Sequence, residues 1–197
     1  MTEMKDPILQ VKNITEYALK DTKMIPMIQD LSFSVYAGET VSILCRTGLD
    51  RKILMALFSR ERKPTVGAIR SKGKCSEMTG DTVLFPGMTV RENIELPAQM
   101  SPSGDGAFRE SIMKTAEDIL GEKLDKDISV LTGEEVFIAK YLRMLMSSPG
   151  YVLIEEYPET EECMNAIRNT VRETGIPVIV LADTYDITET DRIIRLE

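Results

Sequence analysis

The sequence predicts an α/β fold: a mostly parallel sheet flanked by helices, with an antiparallel β part near the N-terminus. Short apolar runs typical of buried strands alternate with segments of helical period, which favours parallel strands joined by helices. Near the N-terminus, apolar and polar residues alternate instead, which is typical of half-buried antiparallel strands. With 197 residues, 43% of them hydrophobic and 28% charged, the chain has the size and composition of one globular domain.

The first predicted elements are strands. Residues 8–14 and 31–35 each alternate apolar and polar side chains, which predicts two half-buried strands. The intervening residues 15–30 are expected to form a loop or an irregular hairpin. A buried strand is predicted over 40–44, and the apolar side chains of 51–59 predict a mostly buried helix.

The middle of the chain is predicted to hold one strand and two helices. The strand covers 66–71. Thr89 is the predicted N-cap of a short helix over 90–96, with a glutamate at the capping-box spacing. Prolines and glycines predict a loop over 97–106. Apolar residues at helical spacing then predict a second helix, which ends at Gly121.

The C-terminal part again alternates helices and strands. A helix with its apolar stripe over 138–145 precedes a strand over 151–154. An amphipathic helix over 160–173 is followed by strands over 178–181 and 191–196. This alternation is the main support for the parallel sheet.

Together these elements predict a single domain over 1–197. Residues 1–82 and 148–197 are expected to form the core α/β lobe. Residues 83–147 are expected to form a small, shortened helical lobe.

The composition argues against several function classes. A formal charge of −8 gives no basis for binding nucleic acid or an anionic membrane surface. The absence of histidine removes histidine catalysis and histidine metal ligands. No apolar run approaches the ~20 residues of a spanning helix, so direct membrane insertion is not expected. The polar N-terminus and the three scattered cysteines predict a cytoplasmic protein with reduced thiols.

Residues 38–54 carry the first sign of a binding site. A buried strand, a tight loop and a helix opening near Arg51 form the layout that holds a phosphate, because free N–H groups and the helix dipole meet there. The phosphate-binding motif G-x-x-x-x-G-K-[ST] is nevertheless not matched. Cys45 and Asp50 stand at its two glycine positions, while Arg51 and Lys52 stand at its Lys and Ser/Thr positions.

Six segments in the right order resemble those of the ATP-binding subunit of ABC transporters, over essentially the whole chain. The resemblance implies a fold like that of the P-loop NTPases. The segments are 33–41 (FSVYAGETV) before the phosphate loop, 63–69 (KPTVGAI), 84–94 (LFPGMTVRENI) after the Q-loop, 131–133 (LTG) at the start of the LSGGQ signature, 152–156 (VLIEE) at the Walker B strand and 191–196 (DRIIRL) at the closing strand. Some sugar-importer ATPases also carry Arg at the motif's Lys position in their second-half domains, which makes that branch a candidate origin.

The resemblance implies nucleotide contacts at the phosphate loop. The candidate residues are Thr47, Gly48, Asp50, Arg51, Lys52 and Tyr17, the last in the place of the aromatic residue that stacks on adenine. Arg51 offers a cation, although its planar guanidinium does not replace a lysine. Lys52 puts a cation where the family holds Mg²⁺, and Asp50 puts a negative charge beside a polyanion. ATP binding is therefore expected to be weak or absent.

The positions that would hold the metal and activate water are also altered. Glu155 replaces the Walker B aspartate, and its extra methylene is too long for the tight octahedral geometry of Mg²⁺. Glu156 matches the catalytic base and is the one intact, vestigial catalytic position. Gly80 replaces the Q-loop glutamine, and Asp183 is nearest in register to the switch histidine. The sequence therefore argues against a Mg²⁺ site at Glu155.

Leu131, Thr132 and Gly133 resemble the start of the signature, which the family directs towards the γ-phosphate held by a partner subunit. Glu134 and Glu135 follow where a glycine and a glutamine are expected. Simpler roles compete at this and the other candidate positions. Thr132 and Glu135 have the spacing of a capping box, and charged residues at a helix start are usually solvated surface.

We therefore expect an ABC-type ATP-binding domain that has lost most of its turnover chemistry. It would pair with an ABC-type ATPase subunit as a homo- or heterodimer, or dock to a membrane permease through 84–94 at the inner face of the membrane. Two alternatives stay open. One is an active transporter ATPase that uses Arg51 and Glu156 in an altered site, and the other is a stand-alone regulatory or scaffold protein.

Overall fold

The computed structural model describes residues 6–20, 22–101, 105–155, 160–182 and 190–196. The strands of this part are β1 (Leu9–Lys20), β2 (Lys23–Val35), β3 (Thr40–Leu44), β4 (Val66–Ser71), β5 (Cys75–Met78), β6 (Tyr151–Ile154), β7 (Val178–Ala182) and β8 (Arg192–Arg195). Its α-helices are α1 (Gly48–Phe58), α2 (Val90–Met100), α3 (Gly106–Leu120), α4 (Gly133–Leu145) and α5 (Glu161–Thr174). Two short 3₁₀ turns, Gly121–Asp125 and Ile128–Val130, lie between α3 and α4.

Five strands form the parallel sheet that the sequence predicts. Their order is β5-β6-β7-β3-β8, and each neighbouring pair is parallel. The central strands β3, β6 and β7 are buried along their whole length. This is expected of parallel strands, whose two faces are both covered by other elements.

The central strands divide their side chains between two hydrophobic cores. Val152 and Ile154 of β6 pack with α2, α3, α4 and α5, whereas Tyr151 and Leu153 pack with α1 and the hairpin strands. Alternate side chains of a strand point to opposite faces, so one short strand serves both cores. The sheet therefore fixes the positions of the start of α1 and of the end of β6, where the candidate site residues lie.

β1, β2 and β4 form a second, antiparallel sheet in the order β2-β1-β4. The predicted strands 8–14 and 31–35 are parts of one long hairpin, and residues 15–30 form its irregular part rather than a loop. Register shifts interrupt the pairing of β1 and β2. Asn13 and Asp30 have left-handed backbones (φ 50° and 47°), and their side chains share a 2.7 Å hydrogen bond. These irregularities break the apolar–polar alternation on which the prediction depended.

α2 continues through a proline at which the sequence predicts a loop. Pro97 lies inside α2, and the Ser101 N–H donates to its carbonyl over 3.1 Å, so helical hydrogen bonding resumes beyond it. The predicted loop over 97–106 is therefore wrong for the residues up to Met100. The predicted N-cap is confirmed, since Thr89 and Glu92 form a complete capping box.

The edge strand β5 was not predicted from the sequence. Its segment, C-S-E-M, has three half-buried residues and one buried residue, because it lies at the edge of the sheet beside β6. The division into a core lobe and a lobe over 83–147 stays a prediction. Among the described residues, the helices lack the length and apolar character that crossing a membrane requires.

Candidate functional site

The loop between β3 and α1 is short. β3 ends at Leu44 and α1 begins at Gly48, so only residues 45–47 join them. In the phosphate-binding motif, the loop up to the second glycine separates the strand from the helix. Here the helix already begins at the fourth motif position. The predicted helix start near Arg51 is therefore three residues too late.

Thr47 explains the early start of α1. Its backbone is extended and its hydroxyl accepts a hydrogen bond from the Asp50 N–H over 3.1 Å, as an N-cap residue does. The Thr47 carbonyl accepts from the Arg51 N–H over 3.2 Å, the first regular helical bond. Two N–H groups of the candidate phosphate loop are thus bonded to Thr47.

Asp50 is the buried member of the candidate set. It has no exposed surface. Its Oδ2 lies 3.4 Å from Nε of Arg46, and its Oδ1 has no hydrogen-bond partner among the described residues. Arg46 also donates to the Met27 carbonyl of β2. The Arg46 side chain therefore joins the start of α1 to the hairpin.

Arg51 and Lys52 differ in their surroundings. Lys52 is exposed and Arg51 is half-buried. The Arg51 guanidinium turns back towards the helix start. Its Nη2 lies near Gly48, 3.9 Å from the point where a Cβ would stand on that residue. Both cations therefore remain near the first turn of α1.

Tyr17 lies in β1 rather than in a loop. It pairs with Pro26 of β2, and 39% of its surface is exposed. The next residue of β2, Met27, is the one whose carbonyl accepts from Arg46. The structure thus brings the strand that pairs with Tyr17 to the β3–α1 loop. Among the described residues, no hydrogen bond or aromatic contact joins the Tyr17 side chain to that loop.

Glu155 follows β6 directly and is bonded within the sheet edge. Its Oε2 accepts from the Gly80 N–H over 3.3 Å, and its own N–H donates to the Met78 carbonyl over 2.9 Å. The structure therefore brings together the Walker B and Q-loop positions. Glu156 and Asp183 lie outside the described residues. In the described part of the chain, no three acidic or cysteine side chains are grouped as a metal site requires.

The signature-like segment begins α4. Thr132 is its N-cap, Gly133 is its first residue, and Thr132 and Glu135 form the predicted capping box, which is confirmed. Lys123 Nζ lies 2.7 and 2.8 Å from the two carboxylate oxygens of Glu135. This ammonium group is the main cause of a lowered pKa at Glu135, helped by the backbone of Thr132. Leu131 is half-buried beside this helix start.

An exposed surface follows the Q-loop position. The sequence indicated it only in part, through the resemblance of residues 84–94. Val83 and Phe85 are 58% and 41% exposed, and the Arg143 guanidinium lies 4.6 Å from the Phe85 ring centroid. Arg143 also donates to the Val83 carbonyl over 2.9 Å, and burial lowers its pKa. We call Val83, Phe85 and Arg143 the Phe85 surface.

Asn93 holds the loop beneath the Phe85 surface. It is fully buried. Its Oδ1 accepts from the Phe85 N–H over 2.6 Å, and its Nδ2 lies 3.0 Å from the carbonyls of both Phe85 and Thr89. The loop is thus rigidly supported although its side chains are exposed.

Arg46 and Asn93 are site residues that sequence reasoning missed. The spacing of Arg46 and Asp50, opposite charges four residues apart, was an available signal. The role of Asn93 had no comparable signal, because its partners are backbone groups.

No family model matches the chain, but individual proteins are similar to it in sequence. It is 26% identical over 208 residues to the O-antigen export system ATP-binding protein RfbB of Klebsiella pneumoniae, covering 98% of this chain and 82% of RfbB. It is 23% identical over 214 residues to the lipoprotein-releasing system ATP-binding protein LolD of Rickettsia conorii, covering 98% and 97%.

A shorter match is closer in sequence. The chain is 35% identical over 77 residues to the formylaminopyrimidine import ATP-binding protein ThiZ of Halalkalibacterium halodurans, which is 38% of this chain. That alignment spans only 31% of ThiZ, and alignments to the macrolide export protein MacB of Marinobacter nauticus span 26% of MacB.

Solved structures share the fold. Superposition on cbiO1 of Clostridium perfringens, part of the ABC transporter complex cbiONQ, gives a TM-score of 0.80 at 18% identity and covers 98% of this chain and 86% of cbiO1. The dimeric ATP-binding cassette MJ0796 with bound ADP and phosphate gives 0.71 at 20% identity and covers 96% and 94%. Fold, motif order and full-length sequence similarity agree: the chain has the fold of an ABC transporter ATP-binding cassette and is similar in sequence to ABC transporter ATP-binding proteins.

Proposed function

We propose that this domain is a non-catalytic subunit of an ABC transporter. The observation that carries the proposal is the start of α1 at Gly48, with Thr47 as its N-cap. A phosphate loop works because its backbone N–H groups point at the ligand. In this chain the N–H groups of Asp50 and Arg51 are bonded to Thr47 instead.

The residues present do not fit a magnesium–nucleotide complex. Lys52, at the position of the Mg²⁺-binding hydroxyl, is exposed and cationic. Glu155, at the Walker B position, accepts from the Gly80 N–H. The Thr47 hydroxyl is engaged in the helix cap. These three observations support weak, metal-independent nucleotide binding or none.

The proposed role is that of a partner subunit. The domain would pair with an ABC-type ATPase, as a homo- or heterodimer, and would dock to a permease through residues 84–94. The Phe85 surface supports this, because it combines two exposed apolar side chains, on the loop that Asn93 holds, with the Arg143 cation of α4. Exposed apolar patches of this kind mark interaction sites. The subunit would then lie at the inner face of the membrane, and its origin in the sugar-importer branch stays a prediction.

A hydrolysis assay tests the proposal. The purified chain is incubated with ATP and Mg²⁺, and phosphate release is compared with that of Glu156→Gln. We expect release at the enzyme-free background for both proteins. Turnover that Glu156→Gln abolishes would show an active ATPase with an altered site.

A further inference from the structure

The antiparallel sheet has one face that the hydrophobic core does not cover, which we call the outer face. Successive side chains of a strand point to opposite faces. Glu16 of β1 is fully buried on the inner face, so its exposed neighbour Tyr17 lies on the outer face. In β4, Ile69 packs against the core, which places the exposed Val66 on the outer face as well. Val66 pairs with Thr15, two residues before Tyr17.

The outer face is apolar near the hairpin turn. Leu19 pairs with Met24, and Tyr17 pairs with Pro26. Residues that oppose each other across two antiparallel strands share a face, with Cβ atoms about 5 Å apart. Leu19 and Met24 are 71% and 62% exposed, and Pro26 is exposed too. We call the following residues the outer strip: Tyr17, Leu19, Met24, Pro26 and Val66.

Cations flank the outer strip at both ends. Lys12 pairs with Ala68 of β4, and Arg70 lies two residues further along β4, so Lys12 and Arg70 are diagonal neighbours on the outer face. Both are exposed, and neither forms an ion pair with a described residue. At the other end, Lys23 is exposed at the start of β2, beside the hairpin turn.

The strands of this sheet carry few acidic residues. In β1, β2 and β4 these are Glu16 and Asp30. Glu16 is buried on the inner face, and the Asp30 carboxylate accepts a 2.7 Å hydrogen bond from the Asn13 side chain. The outer strip therefore lies between unpaired cations, although the whole chain has a net charge of −8.

This charge distribution distinguishes between possible occupants of the outer strip. A second copy that packs on it symmetrically would bring the same cations together, which is unfavourable. An anionic membrane would have to approach a chain with a net charge of −8. A protein segment with apolar residues between carboxylates complements both the strip and its flanking cations. Lys12 and Leu19 are seven residues apart on β1, about 23 Å, which an extended segment of about eight residues spans.

We propose that the outer strip docks a short acidic segment of another protein. The apolar side chains of that segment cover the strip, and its carboxylates pair with the flanking cations. The contact lies apart from the β3–α1 loop and from the Phe85 surface. It therefore does not depend on the proposed loss of hydrolysis.

Two peptides of eight residues are the probes. One has the sequence Leu-Phe-Val-Leu between two pairs of glutamates, and the other has the same four residues between two pairs of lysines. Each is titrated into the nitrogen-15-labelled chain and followed by NMR. We expect the glutamate peptide to shift the amides of Tyr17, Leu19 and Met24 and to bind at least about tenfold more tightly than the lysine peptide. Net charge alone favours the lysine peptide, so this preference would report the local cations.

Two double variants separate the apolar and the cationic parts of the site. Leu19→Ser/Met24→Ser should weaken binding of the glutamate peptide at least about tenfold, because the apolar contact area is lost. Lys12→Glu/Arg70→Glu should reverse the preference, so that the lysine peptide binds more tightly. All four side chains are exposed, and circular dichroism checks that both variants are folded.

Each double variant has a matched control on other elements. Ile119→Ser/Val130→Ser removes two exposed apolar side chains, and Lys114→Glu/Arg195→Glu produces the same change of net charge. Both controls should bind the glutamate peptide as the wild type does. Equal effects of a variant and its control would overturn the proposal, because the outer strip would then have no special part in binding.

Other outcomes would also overturn the proposal. These are a folded wild type that binds neither peptide, and one that does not prefer the glutamate peptide. Cosedimentation with phosphatidylglycerol vesicles should show no binding, and vesicle binding that Lys12→Glu/Arg70→Glu abolishes would assign the face to a membrane instead. Size-exclusion chromatography tests for a second copy: a dimer that Leu19→Ser/Met24→Ser separates would assign the strip to self-association.

Discussion

Glu155 accepts a hydrogen bond from the backbone N–H of Gly80, with 3.3 Å between Oε2 and the nitrogen. The two residues stand at the positions where the ABC-type ATP-binding subunits that the sequence resembles have a metal-binding aspartate and a glutamine. The longer glutamate reaches across to the neighbouring strand end, and the missing side chain of Gly80 leaves the backbone N–H accessible to it. The Glu155 carboxylate therefore bonds to the protein's own backbone at this position.

Shortening Glu155 tests whether this link hides a metal site. Glu155→Asp should lose the bond to Gly80 and about 1 kcal/mol of stability, whereas Glu155→Gln keeps an acceptor and should lose less. Thermal unfolding with and without Mg²⁺ measures both effects. A rise in melting temperature with Mg²⁺ in Glu155→Asp would mean that the surrounding residues do form a metal site.

Glu16 is the most fully bonded buried carboxylate in the described part of the chain. It accepts from the Thr65 N–H over 2.7 Å, from the Thr65 hydroxyl over 3.1 Å and from Arg62. Glu16→Ala should lower the free energy of unfolding by about 2 kcal/mol, because Thr65 and Arg62 lose the charged acceptor that joins them to β1. Chemical denaturation measures this, with Glu110→Ala, an exposed carboxylate on α3, as the control. A loss below about 1 kcal/mol would show that water replaces the carboxylate.

The Lys123–Glu135 pair predicts a pH dependence. Because the folded pKa of Glu135 is lowered, chiefly by Lys123, the pair stabilises the fold above the ordinary glutamate pKa of about 4.3. This stability is lost as the pH falls through the lower folded pKa. Glu135→Gln keeps the capping box, so it should be less stable than the wild type by about 0.5–1 kcal/mol at pH 7.

The difference between wild type and Glu135→Gln should shrink once the pH falls below about 4.3 and disappear at lower pH. Denaturation curves from pH 7 to pH 3 measure it, with Glu110→Gln as the control. A difference that does not change with pH would attribute the effect to helix capping instead of the ion pair.

Asn93 should determine the order of the loop beneath the Phe85 surface. Asn93→Ala removes the acceptor of the Phe85 N–H and the donor to the Phe85 and Thr89 carbonyls. We expect a loss of about 2–4 kcal/mol, since buried backbone groups lose their partners, and faster hydrogen exchange at the Phe85 amide. Asn165→Ala, an exposed change on α5, serves as the control. Unchanged exchange at Phe85 would show that other contacts hold the loop.

Much of the fold follows from period and capping alone. The bounds of β3, β4 and β6 agree with the prediction, because their apolar runs are short and bounded by turn residues. The two capping boxes, at Thr89 and Thr132, were also correct. Such signals are local, so a single sequence contains them.

Other features depend on contacts that a local pattern does not show. The length of the hairpin was missed because Asn13 and Asp30 interrupt the period with left-handed backbones. Pro97 predicts a helix end, although α2 continues beyond it. At the candidate site, the altered residue types were visible in the sequence. The early start of α1 and the burial of Asp50 were not, because they depend on the Thr47 cap and on the folded surroundings of the helix start.

A titration of ATP and ADP, each with and without Mg²⁺, tests the central claim most directly. The claim is that the cassette fold persists while the contacts to phosphate and metal are gone. We predict weak binding or none for both nucleotides, with the same result when Mg²⁺ is present. Tight ATP binding that requires Mg²⁺ would contradict this account.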